Sequence, residues 1–135
     1  MTMDLQSCIK IDKEWDIVGA RQLGRKIAND IGFGTVDQAR ITTAISELAR
    51  NIYLYSNHGK ICFDVIDTIE NKGIRMIASD EGAGIDDISL VLQDGYSTSG
   101  GLGAGLPGVK RLMDEFDIQS EKGKGTRVTA VKWLR

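Results

Sequence analysis

The sequence predicts an α+β fold: a two-layer α/β sandwich in which a mixed, mostly antiparallel sheet is covered on one face by helices. Two observations predict this class. Apolar residues recur at helical spacing in two early runs, and later strand-like runs come in pairs joined by short polar turns. Elements in this order pack as helices against one face of an antiparallel sheet. The length of 135 residues favours a single domain over residues 1–135.

Two helices are predicted in the first half of the chain. Apolar residues recur at helical spacing over 14–31, and Gly32 ends that run. Thr35 or Asp37 is expected to cap a second helix that extends to about Tyr55. The apolar residues of this second helix have the 3.6-residue period of a buried face. They are Ile41, Ile45, Leu48, Ile52 and Tyr55.

Five short segments are predicted to form the sheet. Residues 7–11 alternate weakly between polar and apolar side chains and predict an edge strand. Residues 60–67 and 74–80 are joined by a polar loop, which is typical of an antiparallel pair. Residues 118–120 and 126–134 flank a Gly-Lys-Gly turn and predict the last two strands.

A glycine-rich stretch precedes a third predicted helix. Residues 99–108 contain five glycines, and Pro107 stands in the first turn of the helix, where its missing N–H does no harm. Glycines followed by the free N–H groups of a helix start favour a bound phosphate. An ordinary structural turn is the alternative. The helix itself is predicted from Leu106, Val109, Met113 and Phe116.

The same stretch has to be distinguished from two other phosphate-binding loops. Residues 103–108 formally match the dinucleotide-binding pattern G-x-G-x-x-G, but no strand precedes them as that pattern requires. The chain also lacks the Walker-type pattern G-x-x-x-x-G-K-[ST]. Neither a Rossmann-type dinucleotide site nor a P-loop NTPase is therefore predicted.

Two further groups of residues suggest what surrounds the phosphate. Asp80 ends a strand and is followed by Gly82 and Gly84, so its carboxylate can accept a hydrogen bond from an amine while the backbone passes close to a flat ligand. Glu47 and Asn51 stand four residues apart and share one stripe of a helix. Their side chains suit a general base and an oxygen ligand for Mg²⁺. The simpler alternatives are a strand-ending turn and a solvated helix flank.

Four motifs in this order resemble those of one family. They are a Glu-x-x-x-Asn helix, an Asp-x-Gly-x-Gly loop, a Gly-Leu-Gly-x-Gly-Leu loop and a terminal Gly-x-Gly-Thr. Together they cover nearly the whole chain and look like the Bergerat ATP-binding fold of the GHKL superfamily, shared by gyrase, Hsp90, histidine kinases and MutL. The short, stand-alone form is similar to the anti-sigma-factor type of serine/threonine protein kinase, and in particular to the switch kinases of the bacterial stressosome.

The resemblance implies a role for each motif residue. Glu47 would accept the proton of the attacking hydroxyl, and Asn51 would hold a Mg²⁺ that bridges the phosphates of ATP. Asp80 would bind the adenine amino group, with Thr126 beside it. Residues 97–100 would form part of a mobile lid. The positions that would give room to the base or wrap the phosphates are Gly82, Gly84, Gly101, Leu102, Gly103 and Gly105.

One position departs from the pattern of the family. The helix motif often continues Asn-Ala-x-x-His, but here the residues after Asn51 read Ile-Tyr-Leu-Tyr. Tyr55 therefore occupies the usual His position, and the single histidine, His58, is expected in a surface turn. Since that His is neither the base nor the metal ligand of the family, the change is expected to affect only the rim of the pocket.

The resemblance also implies partners. Relatives that activate water couple hydrolysis to a second domain, and histidine kinases need a domain with a phospho-accepting histidine; neither is expected within 135 residues. Phosphoryl transfer from ATP to a Ser or Thr of a STAS-domain stressosome protein is therefore expected, along with a PP2C-type phosphatase that the kinase activates when released. A nucleotide-gated binding module with little or no phosphoryl transfer is the alternative.

Composition excludes other classes of partner. A net charge of −2 with scattered Lys and Arg leaves no basic stripe, so no nucleic acid is expected. The sequence has no apolar stretch long enough to span a bilayer and no signal-peptide core, so we expect no membrane contact and a cytoplasmic location. Cys8 and Cys62 match no metal-ligand spacing and are expected to be two free thiols in a reducing compartment.

Overall fold

The computed structural model describes residues 7–56, 58–82 and 105–135. These residues form three helices and five strands. In chain order they are β1 (Ser7–Ile11), α1 (Trp15–Ile31), α2 (Thr35–Tyr55), β2 (Gly59–Asp67), β3 (Lys72–Asp80), α3 (Gly105–Leu112), β4 (Glu115–Glu121) and β5 (Gly125–Trp133).

The five strands form one sheet in the order β1-β2-β3-β5-β4. Each of the four pairings in the described residues is antiparallel, where the sequence predicted a mixed, mostly antiparallel sheet. The predicted edge strand lies at one edge as β1, and β3 is the central strand, paired with β2 and β5. Asp80 is the last residue of this central strand, so it has a neighbouring strand on each side and does not lie on an edge strand.

The helices cover one face of the sheet and bury its core, which confirms the two-layer class. Alternate residues of β2 and β3 face the helices, with Phe63 opposite Met76 at the centre of the layer. Helix α1 lies close to this layer at Gly24, where an added Cβ would lie 3.2 Å from the Phe63 ring. The predicted stripe of α2 is buried in the same core through Ile41, Ile45, Leu48 and Ile52, whereas Tyr55 is 54% exposed.

Helix α2 begins differently from the prediction. Neither Thr35 nor Asp37 caps it; the N-cap position is Gly34, and no side chain accepts the first N–H groups there. Gly34 is extended, with φ −73° and ψ 173°, and its carbonyl accepts the Gln38 N–H at 2.9 Å. Thr35 is already helical and cannot fill the N-cap role, which requires a non-helical backbone.

Helix α3 is shorter than predicted. It ends at Leu112, and Phe116 lies in β4 and not in the helix. The Asp114 N–H donates to the Val131 carbonyl at 2.8 Å, so the chain has joined the sheet before Phe116 is reached. Phe116 has helical spacing from Met113, but it also has strand spacing from Ile118, and both periods place it against the core.

The prediction that the two cysteines are free thiols is wrong. Cys8 and Cys62 stand directly opposite each other in the β1–β2 pairing, and the structure joins them in a disulfide. They are 54 residues apart in sequence, so their proximity depends on strand register, which the sequence does not display. Because the two cysteines form a disulfide, they no longer support the expectation of a reducing compartment.

Candidate functional site

One part of the candidate site, called here the helix side, consists of Glu47, Asn51 and Gly105. Glu47 of α2 is buried, and its Oε2 accepts a hydrogen bond of 3.2 Å from the Gly105 backbone N–H at the start of α3. Its Oε1 lies 3.4 Å from Nη1 of Arg50. A carboxylate is stabilised beside the positive end of a helix dipole. The structure therefore brings the predicted base together with one of the predicted phosphate-wrapping glycines.

Asn51 follows Glu47 by one turn of α2. Its side-chain oxygen Oδ1 is buried, and within the described residues it has no hydrogen-bond partner. A buried polar atom without a partner costs about 1–3 kcal/mol, so such an atom calls for an explanation, and a bound ion is one. An amide oxygen is a hard ligand of the kind that Mg²⁺ prefers. Asn51 therefore fits the metal-holding role that the sequence predicted.

The described residues contain no cluster of three or more His, Cys, Asp or Glu side chains that could hold a metal ion. This is compatible with Mg²⁺, which is usually bound by one or two protein groups together with the phosphates of the substrate. Asn51 would be such a protein group, with the remaining positions left to phosphate oxygens and water.

The other part of the site, called here the sheet side, consists of Asp80, Gly82, Gly125 and Thr126. Asp80 and Thr126 are partners in the β3–β5 pairing, on the face that carries the helices. Their Cβ atoms are therefore about 4.5–5.5 Å apart. The Asp80 Oδ1 accepts the Gly82 N–H at 2.9 Å, which fixes the turn after the strand. The predicted proximity of Thr126 to Asp80 is thus present in the fold.

Two glycines permit close backbone approaches on the sheet side. Gly125 has φ +94°, and a Cβ there would overlap the backbone of Asp80, so any other residue would push the two strands apart. A Cβ on Gly82 would lie 3.1 Å from both the Asp80 Oδ1 and the Ser56 Cβ. The absence of side chains at these positions therefore permits the close approach of β5 to β3 and of Gly82 to Asp80.

The two sides border the same end of α2. A Cβ on Gly59, at the start of β2, would lie 2.6 Å from the Ile52 Cγ2 and 3.1 Å from the Asp80 Cβ. Ile52 immediately follows Asn51, so Asp80 lies near the turn of α2 that carries the candidate metal ligand. The sheet side and the helix side therefore lie next to each other at one end of α2.

The far end of α3 is fixed to the sheet by charged groups. The Lys132 Nζ donates to the Leu112 carbonyl at 2.8 Å, and the Asp114 Oδ2 accepts the Trp133 N–H at 2.7 Å. Partial burial raises the pKa of the Asp114 carboxyl, but the Trp133 hydrogen bond and the charges of Lys132 and Arg135 outweigh it, so the pKa is lower than usual. These contacts anchor the helix whose first residue meets Glu47.

Sequence reasoning missed Gly125 and Ser120 as neighbours of the site. Ser120 pairs with Thr126 across β4 and β5, and the two hydroxyl oxygens are 2.8 Å apart. The signal was available, because a hairpin symmetric about Gly123 aligns residue 120 with residue 126. Gly125 was part of the quoted terminal motif, but its contact with Asp80 depends on the β3–β5 pairing.

Some predicted positions lie outside the described residues. They are Gly84, Gly101, Leu102, Gly103 and the predicted lid at 97–100. At the rim, His58 is exposed as predicted, and Tyr55 ends α2 with about half of its surface exposed. None of the helices in the described ranges combines the length and apolarity needed to cross a membrane.

Comparison with known proteins identifies the fold and close relatives. Residues 36–135 match the family of histidine kinase-, DNA gyrase B- and HSP90-like ATPases. The chain is 64% identical over 133 residues to the serine/threonine-protein kinase RsbT of Bacillus subtilis (strain 168), covering 98% of this chain and 100% of RsbT. It is 33% identical over 100 residues to an anti-sigma F factor of Thermoanaerobacter sp. (strain X514), covering 71% of this chain and 70% of that protein.

Among solved structures, the chain resembles the RsbU and RsbW domains of Rv1364c from Mycobacterium tuberculosis, with a TM-score of 0.66 and 20% identity. The match covers 96% of this chain and 33% of that one, and at this identity it shows the fold alone. The family match over residues 36–135 includes all of the described site residues. The chain therefore belongs to the family of histidine kinase-, DNA gyrase B- and HSP90-like ATPases, and within it to the serine/threonine protein kinases related to RsbT.

Proposed function

We propose that this chain transfers the γ-phosphoryl group of ATP to a Ser or Thr of a STAS-domain protein of the stressosome, and that the released kinase activates a PP2C-type phosphatase. The observation that carries the proposal is the pairing of Glu47 with the start of α3, one helical turn from Asn51, whose buried Oδ1 has no hydrogen-bond partner among the described residues. A carboxylate, a hard oxygen ligand and a helix N-terminus at one place are the groups that phosphoryl transfer requires.

In the proposed reaction, the hydroxyl oxygen of the acceptor forms a bond to the γ-phosphorus. The bond between the γ-phosphorus and the β–γ bridging oxygen breaks, and ADP leaves. Glu47 takes the proton of the hydroxyl. N–H groups at the start of α3, other than the Gly105 N–H that Glu47 accepts, bind the phosphate oxygens. Mg²⁺ held by Asn51 would neutralise negative charge on the phosphates. Asp80, with Thr126 beside it, holds the adenine and thereby places the phosphates at the helix side.

Three further expectations belong to this proposal. The whole chain acts as one ATP-binding domain over residues 1–135. It is cytoplasmic, as a kinase that uses cellular ATP would be. Gly84, Gly101, Leu102 and Gly103 complete the nucleotide site around the groups described above.

The test is transfer of label from γ-labelled ATP with Mg²⁺ to purified STAS-domain proteins of the same genome. Wild type should label a protein on Ser or Thr, and Asn51→Ala should lose both labelling and Mg²⁺-dependent ATP binding. Asn71→Ala, in the exposed loop between β2 and β3, is the matched control and should retain both. ATP binding without any labelling would contradict the kinase function and favour the alternative of a nucleotide-gated binding module.

A further inference from the structure

Three polar residues lie side by side at one end of the sheet. Ser120 of β4 pairs with Thr126 of β5, and Thr126 pairs with Asp80 of β3. All three lie on the face that carries the helices, because they continue the alternation of Ile118, Val128 and Ala78. The proposed function uses Asp80 and Thr126 and assigns nothing to Ser120.

The hydrogen bonds of Ser120 fix the direction of its hydroxyl proton. The Ser120 Oγ lies 3.0 Å from the Gly125 carbonyl oxygen, which can only accept, so Ser120 donates its single proton there. The Gly125 backbone is itself held against Asp80, so the position of this acceptor is set by the strands and not by a rotamer.

The direction of the Thr126 proton follows from that of Ser120. The two hydroxyl oxygens are 2.8 Å apart, a hydrogen bond in which either oxygen is able to donate. Because the Ser120 proton is directed to Gly125, Thr126 is the donor and Ser120 the acceptor. Thr126 therefore presents lone pairs, and no proton, to its remaining surroundings. Asp80, when ionised, is also an acceptor only.

We propose that Ser120 is a positioning residue for base specificity: by orienting the Thr126 hydroxyl, it makes the sheet side of the site a pair of acceptors. Such a pair matches the amino group at position 6 of adenine, directly or through one water, and does not match the carbonyl oxygen of guanine. A site whose polar groups would be left unpaired rejects the mismatched ligand. This inference rests on the proposed function, since it assumes that the sheet side holds the purine.

The experiment is equilibrium binding of Mg-ADP and Mg-GDP, which avoids turnover, to wild type and two variants of residue 120. Wild type should prefer ADP. Ser120→Ala leaves the Thr126 hydroxyl without its acceptor and lets it rotate to donate to guanine, so the ratio of ADP to GDP affinity should fall by about 5- to 10-fold. Ser120→Thr retains the hydroxyl and should restore the wild-type ratio. General loss of stability does not change this ratio, because both nucleotides bind the same folded protein.

A second background shows whether Ser120 acts through Thr126. In Thr126→Val there is no hydroxyl to orient, so adding Ser120→Ala should leave the ADP to GDP ratio unchanged. Gln119→Ala, which removes an exposed neighbour on the opposite face of β4, is the control and should keep the wild-type ratio.

Two outcomes would overturn the inference. One is that Ser120→Ala keeps the wild-type ratio of ADP to GDP affinity. The other is that Ser120→Ala changes this ratio in the Thr126→Val background as much as it does in wild type. If wild type binds neither nucleotide although it is folded, the proposed function itself fails. If wild type binds ADP and transfers phosphate but Ser120→Ala keeps its preference, only the role of Ser120 is wrong.

Discussion

The helix side and the sheet side of the site are positioned by different kinds of contact. On the sheet side, Asp80 and Thr126 are neighbours because the backbones of β3 and β5 are paired along their whole length. On the helix side, Glu47 meets Gly105 through one side-chain hydrogen bond between packed helices, 58 positions apart in sequence. Side-chain substitutions should therefore disturb the helix side more easily, whereas the sheet side should be most sensitive to changes that separate the strands.

The largest effect is expected from Glu47→Gln on the helix side. Glutamine retains an oxygen that accepts the Gly105 N–H, but it does not take up a proton from the acceptor hydroxyl. Phosphoryl transfer should fall by about 10²–10⁴-fold, while ATP affinity stays near that of wild type. Single-turnover transfer and calorimetry measure the two quantities.

Glu47→Ala, which also leaves the Gly105 N–H unpaired, should in addition lower the free energy of unfolding. Transfer at the wild-type rate by a folded Glu47→Gln protein would remove Glu47 from the chemistry.

On the sheet side, Asp80→Asn should weaken binding and not only turnover. The variant loses a charge-assisted hydrogen bond to the adenine amino group, and ATP affinity should fall roughly 10- to 150-fold. Calorimetric titration with ATP measures the change. Ser79→Ala is the matched control, since Ser79 is the preceding residue of β3 and points to the opposite face. Near-normal affinity in folded Asp80→Asn would show that the adenine lies elsewhere.

Two glycines of the β4–β5 turn make it possible to measure the cost of a positive φ separately from the cost of blocking a close backbone approach. Gly123 and Gly125 both have positive φ, at +80° and +94°, but only a Cβ on Gly125 would meet other atoms, those of the Asp80 backbone. Gly123→Ala should cost about 1 kcal/mol of unfolding free energy, and Gly125→Ala about 2–3 kcal/mol together with weaker ATP binding. Urea unfolding and titration measure these values. Equal costs for both variants would show that the approach of β5 to β3 is not required.

The smallest effect is expected at the far end of α3, which supports the helix side. The pKa of Asp114 is below its ordinary value, so its contribution to stability is present above about pH 3.9 and is lost as the pH falls through the lowered pKa. Asp114→Asn should lower the free energy of unfolding by about 1 kcal/mol at pH 7, and this difference should shrink below about pH 4. Unfolding curves from pH 2.5 to pH 7 test this expectation.

The control is Asp117→Asn, exposed on β4, which should change the free energy of unfolding by less than about 0.5 kcal/mol at pH 7. A difference for Asp114→Asn that grows with acid would contradict the assignment.

Local patterns were sufficient for most of the fold. The period of α2 predicted its buried face, and turn residues separated the strands nearly where the structure has them. The errors lie at ends of elements. Phe116 has both helical and strand spacing from neighbouring apolar residues, so the sequence does not distinguish the two. The N-cap of α2 is Gly34, which has no side chain that could mark it as a cap in the sequence.

The candidate site was predicted in part. Spacing and resemblance predict the motif residues Glu47, Asn51, Asp80 and Thr126, and the fold places them around one end of α2 and β3. Ser120 is not among the predicted site residues: the hairpin about Gly123 places it opposite Thr126, but its residue type alone indicates no role. Its significance depends on hydrogen bonds to Gly125 and Thr126.

The sequence by itself determined the elements, the face of each helix that is buried and the residue types available for chemistry. These depend on backbone preferences and on periods within one element, which neighbouring residues decide. Tertiary structure alone decided which distant residues meet: Cys8 with Cys62 through strand register, Glu47 with Gly105 through helix packing, and Gly125 with Asp80 through the β3–β5 pairing. Such contacts depend on how elements align, and a one-residue shift of register turns a side chain to the other face of the sheet.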